Sequence, residues 1–161
     1  MDHLWSPWRY SYIKAAPSSG CVFCEIAQAP PEQDRELLVV LRAESNFVVL
    51  NRYPYTSGHA MVIPYRHHGT LEEASAETAQ EMMLLTQRLE AALRKLYRAE
   101  GVNLGMNIGR AAGAGVAGHI HMHALPRWVA DANFMTTVGE TRVLPEDLDT
   151  TWVRLREALA A

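Results

Sequence analysis

Short runs of apolar, largely β-branched residues alternate with turn residues along much of the chain. The runs LLVVLR (37–42), NFVVLN (46–51) and HAMVIP (59–64) are separated by residues that favour turns. Such runs are typical of strands joined by short connections. Two further runs follow later in the chain, VNLGMNIG (102–109) and HIHMHAL (119–125). The pattern therefore predicts five strands in an antiparallel sheet.

Two other segments repeat their apolar positions with the period of a helix. Between Ser75 and Glu100 these positions recur every three or four residues, at Met82, Leu85, Leu89, Leu93, Leu96 and Tyr97. Gly101 follows and suits the position after a helix end. A final amphipathic helix starts near Pro145, with an apolar stripe of Leu148, Trp152, Leu155 and Leu159. Together with the five strands, these helices predict an α+β fold.

The ends of the chain are expected to form an arm and an extension around this core. Turn-rich stretches at 15–20 and 29–34 flank the segment CVFCEIA, which predicts a short knuckle before the main body. A length of 161 residues suits a single domain. We therefore expect one domain with three parts, an arm and knuckle at 1–35, a core at 36–128 and an extension at 129–161.

Composition and charge exclude several classes of protein. With 48% hydrophobic residues the chain has enough apolar material for a core, and its formal net charge of −3 argues against a general nucleic-acid-binding protein. No apolar run approaches the roughly 18 residues of a membrane span, and the N-terminus lacks the apolar core of a signal peptide. We expect a cytoplasmic protein that binds neither nucleic acid nor membrane. In that compartment Cys21 and Cys24 would be reduced or bound to metal.

Three histidines stand at alternate positions in GHIHMHALPRW (118–128), namely His119, His121 and His123. In a strand such residues share one face and lie about 7 Å apart. The preceding loop, RAAGAGVAG (110–118), is rich in glycine, and its backbone N–H groups are able to approach an anion closely. Either a metal site or a phosphate site with a histidine nucleophile fits this pattern. Because three histidines spread over about 14 Å cannot all bind one ion, different roles for the three are favoured.

These residues resemble the histidine triad proteins, a family of nucleotide hydrolases and transferases. The family's His-x-His-x-His-x-x motif is matched by HIHMHAL. The family's strand pair, with an Asn and a Gly-His turn, is resembled by NRYPYTSGHAMVIPYRHH, and the strand before the motif by GMNIG. LWSPWRYSYI and PRWVADANFMTTVGETRVLP are similar to segments of the dinucleoside tetraphosphate phosphorylases, a branch close to the fragile histidine triad hydrolases. The resemblance covers most of residues 4–148. It implies a fold with a five-stranded antiparallel sheet, one long helix and a C-terminal helix.

The resemblance also implies a role for each residue of the site, beginning with a catalytic triad of His119, His121 and His123. His121 would attack the α-phosphorus of a nucleotide and form a nucleotidyl-histidine intermediate, and His123 would donate to phosphate oxygens. For the nucleoside, the resemblance implies contacts from Asn51 to the ribose, from Val49 and Met61 to the base, and a place for His59 at the nucleotide pocket. For the phosphates, it implies contacts from Asn107 to the α-phosphate and from backbone amides of the loop, at Gly113, Gly115 and Val116. The loop is one residue longer than the commoner family form, and Gly115 replaces a hydroxyl residue.

The cysteine pair of CVFC is a weak motif by itself, because two buried cysteines can also occur together by chance. Several histidine triad proteins bind a structural zinc through such a pair, a histidine after the proline that ends a strand, and the first triad histidine. The resemblance therefore implies a zinc site at Cys21, Cys24, His67 and His119, with His68 as the rival to His67. It implies no organic cofactor.

The expected activity is cleavage of dinucleoside polyphosphates, with diadenosine tetraphosphate as the substrate. Phosphorolysis by inorganic phosphate would yield ADP and ATP, whereas hydrolysis would yield AMP and ATP. Resemblance of the flanking segments favours phosphorolysis, but the residues give no independent physical reason for it. The alternatives are a nucleoside phosphoramidate hydrolase and a nucleotide-binding sensor. The family also implies a homodimer formed through the long helix and an adjoining strand. Trp5, Trp8 and Tyr10 would pack either across this interface or against the core of their own monomer.

Overall fold

The computed structural model describes residues 20–139 and 144–160. Five strands form one sheet in the order β1-β2-β3-β5-β4, and every neighbouring pair is antiparallel. The strands are β1 Val39–Arg42, β2 Asn46–Leu50, β3 Ala60–Pro64, β4 Gly101–Gly105 and β5 Met122–Arg127. The helices are α1 Val22–Gln28, α2 Ala76–Tyr97, α3 Phe134–Thr137 and α4 Leu148–Ala160. The predicted α+β fold with its antiparallel sheet is therefore confirmed.

The core forms where the long helix α2 lies against the sheet. Every residue of β2 and β3 is buried, which explains why these strands are apolar at consecutive positions instead of alternating. The predicted stripe of α2 is buried at Met82, Leu85, Leu89 and Leu93. Helix α4 packs against α2 and β1 and buries Leu155 and Leu159. The sequence periodicity therefore identified the buried faces of both helices.

Helix α2 ends earlier than the sequence predicted. The helix ends at Tyr97, and Arg98 adopts a left-handed conformation with φ of 48°. Gly101 is instead the first residue of β4. The reason is that Glu100 N–H already donates to the Arg127 carbonyl at 3.0 Å, so pairing with β5 has replaced the helical hydrogen bonds by that point. The prediction that Gly101 caps the helix is wrong.

Strand β5 begins later than the histidine pattern suggested, and β4 ends at Gly105 instead of residue 109. The ladder with β3 ends where Val62 faces Met122. Pro64, at the end of β3, has no N–H to continue the pairing, and Ile120 N–H donates to the His68 carbonyl at 2.7 Å instead. The first two triad histidines therefore lie ahead of the ladder, in the connection that leads into β5.

Residues 1–19 and 140–143 lie outside the described ranges, and so do the predicted interface residues Trp5, Trp8 and Tyr10. The described part of the expected arm contains α1, which carries the Cys-x-x-Cys pair. The division of the domain after residues 35 and 128 stays a prediction. Within the described ranges, no helix combines the length and the apolar character needed to cross a membrane.

Candidate active site and metal centre

The three triad histidines converge at the start of β5. His119 is fully buried, His121 is 5% exposed, and His123 is half-buried. The ring centroids of His121 and His123 are 4.8 Å apart, which is closer than the roughly 7 Å between alternate residues on a strand face. Met61 of β3 and Gly105 of β4 pair with His123 on either side. The sheet therefore holds His123 firmly, with His121 at the strand's entrance.

The protonation of the His121 ring follows from its contact with the backbone of His119. Nδ1 lies 2.9 Å from the backbone carbonyl of His119, and a carbonyl only accepts hydrogen bonds. Nδ1 must therefore carry the proton, which leaves Nε2 with a free lone pair in the neutral ring. Burial lowers the pKa of His121, although the hydrogen bond to His119 opposes the shift. The ring is thus held as a neutral imidazole with an unprotonated Nε2, the form a nucleophile needs.

A chain of hydrogen bonds determines the proton position on His123. Tyr55 N–H donates to Nδ1 of His59 at 3.2 Å, so the proton of neutral His59 is on Nε2. That Nε2–H lies 2.9 Å from Nδ1 of His123 and donates to it. His123 consequently carries its own proton on Nε2, where it is available to a ligand. We call this arrangement of the Tyr55 amide, His59 and His123 the histidine relay.

Both rings of the histidine relay are neutral near pH 7. Burial and the neighbouring His123 lower the pKa of His59 to about 3. Burial and the neighbouring His121 lower the pKa of His123 to about 4. His59 is only 1% exposed. Its ring therefore contacts His123 and the Tyr55 amide, and its place at the nucleotide pocket stays a prediction.

The turn before β3 places His59 at the end of the histidine relay. Gly58 adopts a φ of +79°, a left-handed conformation that favours glycine. A Cβ at this position would lie 2.8 Å from Cε2 of Tyr97, so a side chain would also collide with α2. The Gly-His pair of the sequence thus has a physical reason, because only glycine brings the chain this close to the helix.

At the other end of the segment, His119 belongs to a cluster with two cysteines. Its Nε2–H donates to the Pro64 carbonyl at 2.9 Å, which leaves the Nδ1 lone pair facing the thiols. That Nδ1 lies 3.4 Å from Sγ of Cys21 and 3.6 Å from Sγ of Cys24. Nδ1 of His67 lies 3.3 Å from Sγ of Cys24. We call these four residues the Cys2His2 cluster.

The donor set of the Cys2His2 cluster fits a tetrahedral metal ion. Its four ligand atoms all lie within 4.8 Å of one another. Around a tetrahedral zinc, ligands at 2.0 to 2.3 Å would be roughly 3.3 to 3.8 Å apart, close to the three distances measured here. His68, the rival fourth ligand, lies outside this group, and its buried Nε2 has no hydrogen-bond partner. The geometry therefore favours His67 of the two.

The predicted nucleotide contacts divide into an inner and an outer set. Val49 and Met61 face each other across β2 and β3 and are buried, 2% and 6% exposed. Asn51 follows β2, where its Oδ1 accepts from Tyr53 N–H at 2.9 Å and its backbone N–H donates to the His59 carbonyl. Met61 and Asn51 therefore adjoin the histidine relay, and Val49 lies one strand farther from it.

The outer set lies on the strand end and loop that follow β4. Asn107, Gly113 and Gly115 are exposed. Val116 packs against the core, and its carbonyl accepts from His119 N–H at 3.4 Å. The loop thus returns directly to the triad at Val116. For Asn107, Gly113 and Gly115 the position on an exposed surface permits a ligand contact, and their roles stay predictions.

Three residues of the site carried no recognised signal in the sequence. Phe23 is buried between the two cysteines, and its ring centroid lies 5.6 Å from that of His119 and 5.1 Å from that of His121. The Tyr55 ring lies 4.8 Å from His59 and 6.4 Å from His123. A Cβ on Gly118 would lie 3.3 Å from Nε2 of His67, so this glycine leaves room for that ring. An aromatic residue inside a Cys-x-x-Cys pair was the one available clue.

Tyr55 also lines a cavity of about 440 Å³. Other walls come from Tyr97, Trp128, Thr136 and Arg154. This volume lies within the range of about 300 to 1,000 Å³ that is typical of small-molecule sites. The cavity therefore provides space for a ligand beside the ring that contacts His123.

Comparison with known proteins agrees with this geometry. A sequence model of the HIT domain matches residues 32–129. The chain is 38% identical over 152 residues to an AP-4-A phosphorylase of Mycobacterium tuberculosis, an alignment that covers 91% of this chain and 78% of that protein. A Zn-bound histidine triad family protein of Mycobacterium smegmatis has a TM-score of 0.70 at 32% identity, covering 88% of this chain and 94% of that one. A hypothetical histidine triad nucleotide-binding protein of Sulfolobus tokodaii has a TM-score of 0.68 at 28% identity, covering 87% and 92%.

Proposed function

The chain belongs to the HIT domain family, and we propose that it cleaves dinucleoside polyphosphates through a nucleotidyl intermediate on His121. The observation that carries this proposal is a pair of neighbouring rings, with centroids 4.8 Å apart, whose Nε2 atoms differ in protonation. Nε2 of His121 has a free lone pair because Nδ1 donates to the His119 carbonyl. Nε2 of His123 carries a proton because Nδ1 accepts from His59. The site thus offers a nucleophile and a hydrogen-bond donor side by side.

In the first chemical step, Nε2 of His121 attacks the α-phosphorus of the substrate. A bond forms between nitrogen and phosphorus, and the bond from phosphorus to the bridging oxygen breaks with its electron pair leaving on that oxygen. From diadenosine tetraphosphate the leaving group is ATP and the bound group is AMP. His123 would donate to phosphate oxygens and stabilise the charge that develops there. The leaving phosphate is a weak base, so little acid catalysis is needed.

In the second step, an acceptor attacks the same phosphorus and releases His121 with its lone pair restored. We propose inorganic phosphate as the acceptor, which yields ADP. The support is the similarity to the AP-4-A phosphorylase over most of both chains. Water as acceptor would yield AMP and would make the enzyme a hydrolase with the same nucleophile.

Product analysis with diadenosine tetraphosphate tests the proposal. The protein is incubated with the substrate in the presence and in the absence of phosphate, beside the variants His121→Asn and His68→Asn. We expect ADP and ATP with phosphate only, no product from His121→Asn, and wild-type rates from His68→Asn, whose ring lies outside the Cys2His2 cluster and the histidine relay. AMP and ATP without phosphate would replace phosphorolysis by hydrolysis.

A failure to cleave this substrate would contradict the proposal. Cleavage of a nucleoside phosphoramidate under the same conditions would then identify the family's other hydrolytic activity. Tight nucleotide binding without turnover of either substrate would identify a sensor.

We also propose that the Cys2His2 cluster binds a structural zinc ion. The support is its two thiols and two imidazole nitrogens at distances that suit a tetrahedral ion. The similarity to a Zn-bound histidine triad family protein agrees with this choice of metal. A cytoplasmic location, expected from the sequence, would keep both thiols reduced and able to bind. Such an ion would have no open position for a substrate and would stabilise the fold.

A homodimer is proposed through β4 and α2. Strand β4 is an edge of the sheet, and its Leu104 is 44% exposed. Met83 and Leu84 on α2 are each 51% exposed. Edge strands and apolar side chains of this kind are typical of surfaces that associate. Light scattering on wild type and on Leu104→Lys tests the proposal, with a dimer expected for the first and a monomer for the second; a monomeric wild type would contradict it.

A further inference from the structure

The residue between the two cysteine ligands contacts the proposed nucleophile. Phe23 is 7% exposed. Its ring stands at 90° to His119, with centroids 5.6 Å apart, and is tilted against His121 at 5.1 Å. One ring therefore packs on a member of the Cys2His2 cluster and on the His121 side chain together.

A second connection between the Cys2His2 cluster and the nucleophile runs through the backbone of His119. Both ring nitrogens of His119 are occupied, one by the Pro64 carbonyl and the other by the thiols of Cys21 and Cys24. Its backbone N–H donates to the Val116 carbonyl. The carbonyl that accepts from His121 thus belongs to a residue held on three sides.

The far end of the helix that carries Phe23 and Cys24 is anchored independently. Arg42 donates to the carbonyls of Ile26 and Ala27 at 3.3 and 3.5 Å, and its Nε donates to Asp34 at 2.9 Å. This contact ties the C-terminal end of α1 to β1. The cysteine end of α1 meets the rest of the described chain through the thiols of the Cys2His2 cluster and through the Phe23 ring.

We infer that the Cys2His2 cluster positions the nucleophile, holding the His121 ring in its reactive orientation through the Phe23 ring and the His119 carbonyl. Phe23 is accordingly a positioning residue, because it contacts His121 and not the reacting phosphorus. The kcat measurement that tests this inference rests on the proposed function, whereas the spectrum of the His121 ring does not. A misplacement of about 1 Å at a reacting atom can cost on the order of a hundredfold in rate, so a small movement of this ring is enough to matter.

The first experiment replaces Phe23 and compares it with its neighbour. Phe23→Leu keeps an apolar side chain but removes the flat ring that faces His121. Val22→Ala is the matched control, because Val22 lies in the same Cys-x-x-Cys turn and is 42% exposed. The measurements are bound zinc, the thermal melt, the ring ¹⁵N spectrum of His121, and the kcat for diadenosine tetraphosphate at saturating substrate.

We expect Phe23→Leu to retain zinc while the His121 spectrum changes from a single Nδ1–H tautomer to a mixture. Its kcat should fall about tenfold to a hundredfold, and Val22→Ala should match the wild type in all four measurements. An unchanged His121 spectrum in Phe23→Leu with bound zinc would overturn the inference. Loss of zinc together with the loss of activity would also overturn it, because Phe23 would then only support the metal site.

The second experiment removes zinc from the wild type with a chelator and then restores it. The His121 spectrum should change to mixed tautomers on removal and return when zinc alone is added back. A zinc-free protein that still melts cooperatively and keeps the wild-type His121 spectrum would overturn the inference. If removal of zinc abolishes the cooperative melt, the His121 ring spectrum of the Phe23→Leu variant is the measurement that tests the inference.

These two arms separate the inference from the proposed function. If the wild type does not cleave diadenosine tetraphosphate, the proposed function fails. The ring spectrum of His121 still tests the positioning by zinc and Phe23, because it requires no substrate.

Discussion

His119 and His123 have the same side chain and flank the proposed nucleophile His121, yet their surroundings are opposite. His119 presents Nδ1 to two thiols while a main-chain carbonyl accepts from Nε2. His123 accepts at Nδ1 from His59 and keeps a proton on Nε2. The first is arranged to bind a metal ion and the second to donate to an anion.

The difference shows that the contact made by one ring nitrogen decides what the other can do. A carbonyl acceptor makes the opposite nitrogen a lone-pair donor, as in His119 and His121. A hydrogen-bond donor makes the opposite nitrogen a proton donor, as in His123. Three identical side chains in one short segment thus differ in which ring nitrogen carries the proton or in what the other nitrogen contacts.

The largest expected effect comes from replacing His121, the histidine between His119 and His123. His121→Asn should lower the rate of ATP release from diadenosine tetraphosphate by at least about a thousandfold. Neither neighbour can substitute, because Nδ1 of His119 faces the thiols and Nδ1 of His123 is bonded to His59. Single-turnover kinetics with labelled substrate measures the rate and the covalent nucleotidyl-protein. A variant that still forms labelled protein at the wild-type rate would show that another group attacks.

Disrupting the His119 end should affect stability strongly. Cys24→Ser removes one thiol of the Cys2His2 cluster and should abolish stoichiometric zinc binding. Because metal binding contributes to folding, we expect the melting temperature to fall by roughly 10 °C. Metal analysis and calorimetry check both results, with His68→Asn as the control that keeps zinc. An unchanged melting temperature would mean that the cluster contributes nothing to the folded state.

Disrupting the His123 end should affect rate more than stability. His59→Asn removes the donor that directs the His123 proton to Nε2. Replacing a partner that orients a functional histidine typically costs about tenfold to a hundredfold, and we expect a fall in kcat at the lower end of that range. Steady-state kinetics at saturating substrate measures it, and a full rate in His59→Asn would show that the histidine relay does not orient His123.

The pH dependence of the free energy of unfolding should distinguish the contribution of His59 from that of the other titratable groups. Folding lowers the pKa of His59 to about 3, so the unfolded chain binds a proton that the folded chain rejects as pH falls below about 6.5. The free energy of unfolding should therefore decrease as pH falls from about 6.5 towards 3. His59→Gln should show a shallower decrease by chemical denaturation in excess zinc. Parallel curves for the two proteins would contradict the low pKa.

The smallest expected effect concerns the cavity beside Tyr55. If it holds the half of the substrate that leaves, Thr136→Trp should fill part of it and raise the KM for diadenosine tetraphosphate about threefold. A mononucleotide ester with a small leaving group should show no change. An equal change in KM for both substrates would show that the leaving half of diadenosine tetraphosphate binds outside this cavity.

Sequence periodicity was enough to locate the main elements of the fold. The alternation of apolar runs and turns identified five strands, and the stripe of Leu85, Leu89 and Leu93 identified the buried face of α2. These features are local, because the pattern reflects which side of each element faces away from water. The resemblance supplied the Cys2His2 residues, which the structure then brought together.

What the sequence could not determine depends on residues far apart in the chain. Cys21 lies 3.4 Å from His119 across 98 positions, at the start of a helix whose far end Arg42 ties to β1. The tautomers of His119 and His123 depend on Pro64 and His59, which lie 55 and 64 positions away. The contacts of Phe23 and Tyr55 are likewise ones that no local pattern records. The sequence by itself, through the family resemblance, identified the side chains that we propose to carry the chemistry. The tertiary structure decided which ring nitrogens of His119 and His123 are left for it, because their hydrogen-bond partners come from distant segments.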